Sequence, residues 1–218
     1  MVHLLGTHMK YKYRYPDDYA LFSGRDGVPE WVKDEDLETY NQYDNAVRYN
    51  DHVVHGLISA LGKDNPDGFL LYLSDHGEDV FDHPDRYFIG RNEGSPSSSM
   101  YSIPFLIWTS PRWKEKHSVR LSDYEDRVYS SADLLHTWVD LSGIRFDEWR
   151  PERSLVNPGF VMQPVWIGNP ARPKSLREVR ELGWLDPHEK SPLIARRKLP
   201  RRVDSLKLDS PAVVSLGR

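Results

Sequence analysis

Apolar positions in this chain gather into a few short runs separated by long polar stretches. Val2 to Leu5 is an apolar run closed by Gly6, and it reads as a buried strand followed by the loop Thr7-His8. Residues 9–35 mix Tyr, Pro, Asp and Gly without a period. They exceed an ordinary connection, which points to an irregular binding segment or a fragment boundary. From about Asp36 to Leu61 the positions Tyr43, Val47, Val54, Leu57, Ile58 and Leu61 recur near every 3.6 residues. That period predicts an amphipathic helix, with Gly62 placed to end it. Asp64-Asn65-Pro66-Asp67-Gly68 is a turn cluster. Phe69 to Ser74 is a continuous apolar run, as in a strand covered on both faces. Residues 77–102 form a second long polar loop, and Ile103 to Thr109 is the third strand candidate. Residues 111–128 are mostly charged and read as exposed. Ser130 to Ser142 reads as a helix with Leu134, Leu135, Trp138, Val139 and Leu141 on its apolar face. Ser130 and Asp133 have roughly the spacing of a capping box.

Strand, helix, strand, loop, strand, helix is an α/β order. It predicts a mostly parallel central sheet with helices on both faces. In such sheets the chemistry collects in loops at the carboxyl ends of strands.

Composition narrows the class. The chain has 218 residues, 39% of them hydrophobic, and a net charge of −4. That suits one globular domain, or one domain with a tail. Mild acidity argues against a dedicated nucleic-acid binder. Without cysteine there is no disulfide and no zinc–thiolate site. No apolar run approaches the roughly 18 residues of a membrane span, and the first residues lack the pattern of a signal peptide. Charge is uneven: residues 171–218 carry a net +6 against −10 for the rest. The expected organisation is a domain over 1–170 and a basic, Pro-rich tail over 171–218. The tail reads as a solvated extension, or as an arm for anionic lipid or lipopolysaccharide.

The strongest chemical signal is Leu70 to Glu78, where a strand delivers Asp75 and His76 to its carboxyl end and Gly77 permits a close exit. A carboxylate beside an imidazole suits zinc or a similar divalent ion. Spacing alone equally fits a polar loop with a strand-capping Asp. His8 follows the first strand candidate and suits phosphate or metal contact, or is a surface histidine; His3 reads as a core residue. In Gly90-Arg91-Asn92-Glu93, Arg91 suits a bidentate phosphate contact with Asn92 or Glu93 orienting it. Asp79, Asp82, His83 and Asp85 form an acidic run that suits metal binding, or reads as an exposed polar loop. No Gly-x-Ser-x-Gly elbow and no Gly-rich phosphate loop is present, and none of Thr7, Thr39, Thr109 and Thr137 sits in an activated context.

These residues resemble a known family. Val2 to His8 followed by Arg14-Tyr15-Pro16, Tyr43-Asp44-Asn45, Ser74 to Glu78 and Ile103 to Ser110 resemble, in order and spacing, the motifs of bacterial phosphoethanolamine transferases of the alkaline phosphatase/sulfatase superfamily. Gly90 to Glu93, Met100-Tyr101, His136-Thr137-Trp138 and Trp166 to Pro170 resemble the branch that modifies a heptose phosphate of the lipopolysaccharide core.

The resemblance implies an alkaline phosphatase-like domain on the periplasmic face of the inner membrane, anchored by N-terminal membrane helices. It implies transfer of phosphoethanolamine from phosphatidylethanolamine to a core phosphate through a phosphothreonine, with one or two zinc ions. Asp75 and His76 are then zinc ligands, and His8, Arg91, Asn92 and Glu93 bind substrate. The resemblance places the nucleophilic Thr, a Glu ligand and the membrane helices upstream of residue 1, so the chain alone is expected to be inactive. Where other members place a His about a dozen residues after the metal pair, this chain has Phe88 and Ile89. The alternatives are a sulfatase or phosphodiesterase on the same fold, which hands its group to water, and a non-catalytic remnant.

Overall fold

The computed structural model describes residues 1–117, 119–169 and 171–182. Their packing divides into two units, one built from 1–60 with 78–90 and the other from 61–77 with the chain from 91 onward.

The first unit is rich in aromatic side chains and poor in strand. Its main element is the front of helix α1, Leu37–Asp64. The period expected for α1 is present, but the buried stripe includes two amides. Asn45 accepts from the Leu21 and Phe22 amides, both at 2.8 Å, and donates to the Phe22 carbonyl at 3.0 Å. Asn41 donates to the Gly24 carbonyl at 2.8 Å. These amides satisfy loop backbone that could not be buried otherwise. They tie the irregular segment before α1, which holds three short 3₁₀ turns, to the helix. Tyr11, Tyr15 and Ala46 form one buried cluster, and Val28, Val32, Val80 and Phe81 another. The two-residue strands β2 (Asp79–Val80) and β3 (Ile89–Gly90) pair antiparallel, so residues 79–90 form a hairpin. Phe81 at its turn has φ +60°, a region that a buried aromatic residue rarely occupies. Stacking on Tyr87 at 4.7 Å and a 2.8 Å bond from the Trp31 indole to the Phe81 carbonyl hold it there.

The second unit holds β1 (Phe69–Leu73) and β4 (Phe105–Thr109). They pair antiparallel with Leu71 opposite Ile107. One face of the pair presents Phe69, Leu71, Leu73, Phe105 and Ile107 to a core shared with Trp113, Leu121, Leu141 and Leu155. Helices α2 (Pro111–Lys116) and α3 (Leu134–Ser142) line that core through Trp113 and Leu141. The end of α1 meets the other face: a Cβ on Gly62 would lie 3.3 Å from the Trp108 ring. Ser110 caps α2 through Trp113 N at 3.2 Å and donates to the Pro66 carbonyl at 2.6 Å, locking the turn before β1. Gly143, with φ +73°, closes α3. Strands β5 (Trp166–Ile167) and β6 (Arg177–Glu178) pair beyond it.

Several expectations need correction. The parallel sheet does not appear: every pairing among the described residues is antiparallel. The link from β1 to β4 is a hairpin and turns rather than a crossover helix, and a hydrophobic pattern carries no strand direction. Val2 to Leu5 forms no strand, and Val2 and Leu5 are 65% and 61% exposed, because no neighbouring strand pairs with them among the described residues. His3 is exposed rather than in the core. Gly62 lies inside α1, which continues to Asp64, because the contact with Trp108 favours a residue without a side chain. Residues 111–116 are helical, with Trp113 buried. Ser130 accepts from the Ala132 amide, not in capping-box fashion, and Asp133 is buried against Arg153. Beyond Leu182 the expected tail, with His188, lies outside the described residues.

Candidate metal and phosphate site

The Asp75-His76 loop begins where β1 ends. Ser74 Oγ donates to the His76 carbonyl at 2.7 Å, and Asp75 Oδ1 accepts from the His76 amide at 3.1 Å. His76 Nδ1 lies 2.8 Å from the Gly77 carbonyl. A carbonyl only accepts, so this contact places the proton on Nδ1 and leaves the Nε2 lone pair for a ligand. That Nε2 faces Asp75 Oδ2 at 3.9 Å, a gap that two zinc bonds of about 2 Å each can span. The donor set fits a divalent ion, though it is half of a tetrahedral one: no group of three or more His, Asp or Glu suited to a metal occurs among the described residues.

Gly77 fixes this loop by close approach. Its amide donates to the Met100 carbonyl at 2.9 Å, and an added Cβ would lie 2.0 Å from the Ser99 carbonyl oxygen and 2.8 Å from that of Ser102. Only glycine lets the loop lie on the 3₁₀ turn Ser98–Met100.

Arg91, Asn92 and Glu93 belong to the same unit. Arg91 Nε donates to Glu93 Oε1 at 2.5 Å. The Tyr101 hydroxyl donates to Glu93 Oε2. Burial raises the Glu93 pKa, but the bonds from Tyr101 and Arg91 outweigh it, the His76 ring adds a smaller push, and the net effect is downward. Asn92 does not orient Arg91: its side chain accepts from the Gly94 amide at 2.9 Å and its own amide meets the Met100 sulfur at 3.4 Å, so it shapes the loop.

His8 belongs to the other unit, where it is exposed. Arg14 holds its backbone, with Nε donating to the His8 carbonyl and Nη2 to the Met9 carbonyl, both at 2.9 Å. The sequence offered Arg14 only as part of a motif. The acidic run also differs from expectation. Asp79 is fully buried, accepts from the Asp82 amide at 3.1 Å and lies 4.0 Å from Arg86. It builds the hairpin turn instead of facing solvent. Burial, and then the charge of Glu78, pushes the Tyr11 hydroxyl pKa far up. The Tyr43 hydroxyl is raised by burial and then by Asp82. Of the remaining histidines, His136 is buried and accepts from the Arg150 amide at 3.2 Å, and His117 stacks on Trp113.

A family model described as "Sulfatase" matches residues 1–144. The chain belongs to the sulfatase family. Within that family it is 51% identical over 187 residues to "Phosphoethanolamine transferase EptC" of Escherichia coli strain K12. It is 49% identical over 187 residues to "Phosphoethanolamine transferase CptA" of Salmonella typhimurium. Each alignment covers 85% of this chain and 32% of the relative, so the chain spans about a third of their length. The crystal structure of the C-terminal periplasmic domain of EptC from Escherichia coli superposes with a TM-score of 0.78 at 52% identity, over 82% of this chain and 51% of that one. The same domain solved as a complex with Zn gives a TM-score of 0.77 at 52% identity, over 81% and 50%.

Tyr101 and Gly168 are the residues that sequence reasoning left without a structural role at this site, while the close exit read for Gly77 is a close approach to the 98–100 turn. The signals were present in the two short motifs at 100–101 and 166–170. Nothing in the sequence shows that they meet.

Proposed function

We propose that this chain is the C-terminal part of the catalytic domain of a phosphoethanolamine transferase. The donor is phosphatidylethanolamine, and the acceptor is a phosphate on the lipopolysaccharide core, at the periplasmic face of the inner membrane. The observation that carries this reading is the Asp75–His76 pair at the end of β1, with Nδ1 engaged by the Gly77 carbonyl and Nε2 turned to the carboxylate. The 51% and 49% identity to two phosphoethanolamine transferases, over about a third of their length, supports it. So does the zinc complex of the related periplasmic domain.

Asp75 and His76 would hold zinc, which when bound stabilises negative charge on a phosphoryl group and lowers the pKa of a hydroxyl ligand. Arg91 binds a phosphate of the substrate through its outward N–H groups. The resemblance assigns His8 as well to the transferred group. Attack by a threonine, with a phosphothreonine intermediate, is the covalent route that the resemblance implies.

The test is the natural gene product carrying this chain, given phosphatidylethanolamine vesicles and lipopolysaccharide. Phosphoethanolamine should move to the acceptor, and Asp75→Ala or His76→Ala should reduce the rate by at least about a hundredfold and lower zinc content. Full activity in either variant overturns the reading. Release of the group to water without transfer assigns the site to a hydrolase.

A further inference from the structure

Three stretches that the sequence singled out contribute Arg91 to Glu93, Met100-Tyr101 and Trp166 to Asn169 to the second unit, and Tyr101 joins them. Its hydroxyl donates to Glu93 and accepts from the Gly168 amide at 3.3 Å. Its ring centre lies 5.5 Å from the Arg91 guanidinium carbon. Gly168 reaches this position with φ +112°, and a Cβ there would lie 2.7 Å from the Ser175 carbonyl oxygen. The same turn carries Met100, 1% exposed, whose carbonyl takes the Gly77 amide. One short turn therefore anchors both the loop of the Asp-His pair and the support of Arg91.

This arrangement aims the arginine. Nε and Nη2 of Arg91 both lie 2.5 Å from Glu93 Oε1, which fixes one edge of the guanidinium. The ring of Tyr101 supports its face. The Nη1 edge is left for a ligand, and the side chain is 35% exposed. Glu93 directs one oxygen to Arg91 and the other to Tyr101, so its carboxylate is engaged away from that edge. A planar fork with one edge and one face fixed suits an anion with paired oxygens, such as a phosphomonoester.

We propose that Tyr101 is a positioning residue that, with Glu93, holds Arg91 as a clamp for the phosphomonoester of the acceptor sugar. The proposal rests on the transferase reading and names the part of the site that selects the acceptor. Loss of the Tyr101 hydroxyl lets the carboxylate and then the guanidinium turn; loss of the ring removes the support beneath it.

The experiment follows the Arg91 Nε–H signal in ¹⁵N–¹H spectra of the full 218-residue chain, assigned by its disappearance in Arg91→Lys. The probe is mannose 6-phosphate, with mannose as control. In the parent chain the signal is sharp, and it shifts with mannose 6-phosphate but not with mannose. In Tyr101→Phe it broadens before any ligand is added, and the apparent Kd rises about tenfold, as expected for losing a hydrogen bond to a charged group. Tyr101→Leu is weaker still. Glu93→Gln, at a partly exposed position, is the second variant and broadens the same signal, while amides of α3 such as Val139 report that the fold is intact. An unchanged signal and Kd in Tyr101→Phe overturns the proposal. A parent signal indifferent to mannose 6-phosphate also overturns it, while the transferase reading still stands on the zinc and transfer tests of Asp75 and His76. If those tests fail and the clamp responds as described, the transferase reading falls alone.

Discussion

Two loops with similar sequence credentials end up in different physical states. Both Gly6-Thr7-His8 and Asp75-His76-Gly77 follow an apolar run and pair a glycine with a histidine. The second leaves a real strand, lies on a 3₁₀ turn, and is hydrogen-bonded by its own side chains and by Met100. The first follows an exposed segment without strand pairing, and two bonds from Arg14 hold its backbone. A motif gains a defined geometry only from the contacts that surround it, and these contacts are unequal in the two loops.

The comparison can be broken at its most constrained point. Gly77→Ala drives a methyl group into the Ser99 and Ser102 carbonyls and should cost about 3 kcal/mol or more, with zinc binding lost as the loop lifts. Chemical denaturation and zinc titration check it; a drop under about 1 kcal/mol would mean the loop relaxes freely. A smaller effect is expected at the other loop. Arg14→Ala removes two bonds to carbonyls and should lower local stability by about 1 kcal/mol, seen as faster amide exchange around residues 8–10 while global stability barely moves.

Acid should loosen the Arg91 support. The Glu93 pKa is depressed in the folded chain below its ordinary 4.5, so its contribution is complete above that value and is lost as the pH falls through the lower folded one. The stability difference between the parent and Glu93→Gln should therefore be constant near neutral pH and shrink only below about pH 4.5. A difference that persists undiminished below that range would contradict the ion pair. The smallest effect belongs to the exposed run: Leu5→Gln should stay within about 0.5 kcal/mol in this chain, because Leu5 is 61% exposed. A large loss there would reveal a partner surface for residues 2–5.

Much of the fold was legible because periodicity reports burial. The seam of α1 except exposed Val47, the apolar runs that became β1 and β4, and Val139 and Leu141 of α3 appear as expected, whereas Leu135 and Trp138, expected on the same α3 face, are exposed. Pairing direction was not legible, since Leu71 packs equally well whether Ile107 runs with or against it. Val2 to Leu5 misled because apolarity is necessary for a buried strand but does not supply its neighbour. At the site, Asp75, His76, Arg91 and Glu93 could be picked out by residue type. The bonds through Met100, Tyr101 and Gly168 could not, because they join positions up to 67 residues apart, and the Met100 and Gly168 ends are backbone groups that every sequence shares.

The short ladder from Asp79 to Gly90 has one more consequence. Because its first and last residues are bonded side by side, and Val80, Phe81 and Ile89 pack the base, the tip around Pro84-Asp85 can be extended or replaced without changing where the chain departs and returns. Thus the interval between Gly77 and Arg91 along the polypeptide says little about their separation in space. Relatives that differ in the length of this stretch would keep the same anchor points, and alignments scored on spacing alone would misplace whatever lies beyond the tip.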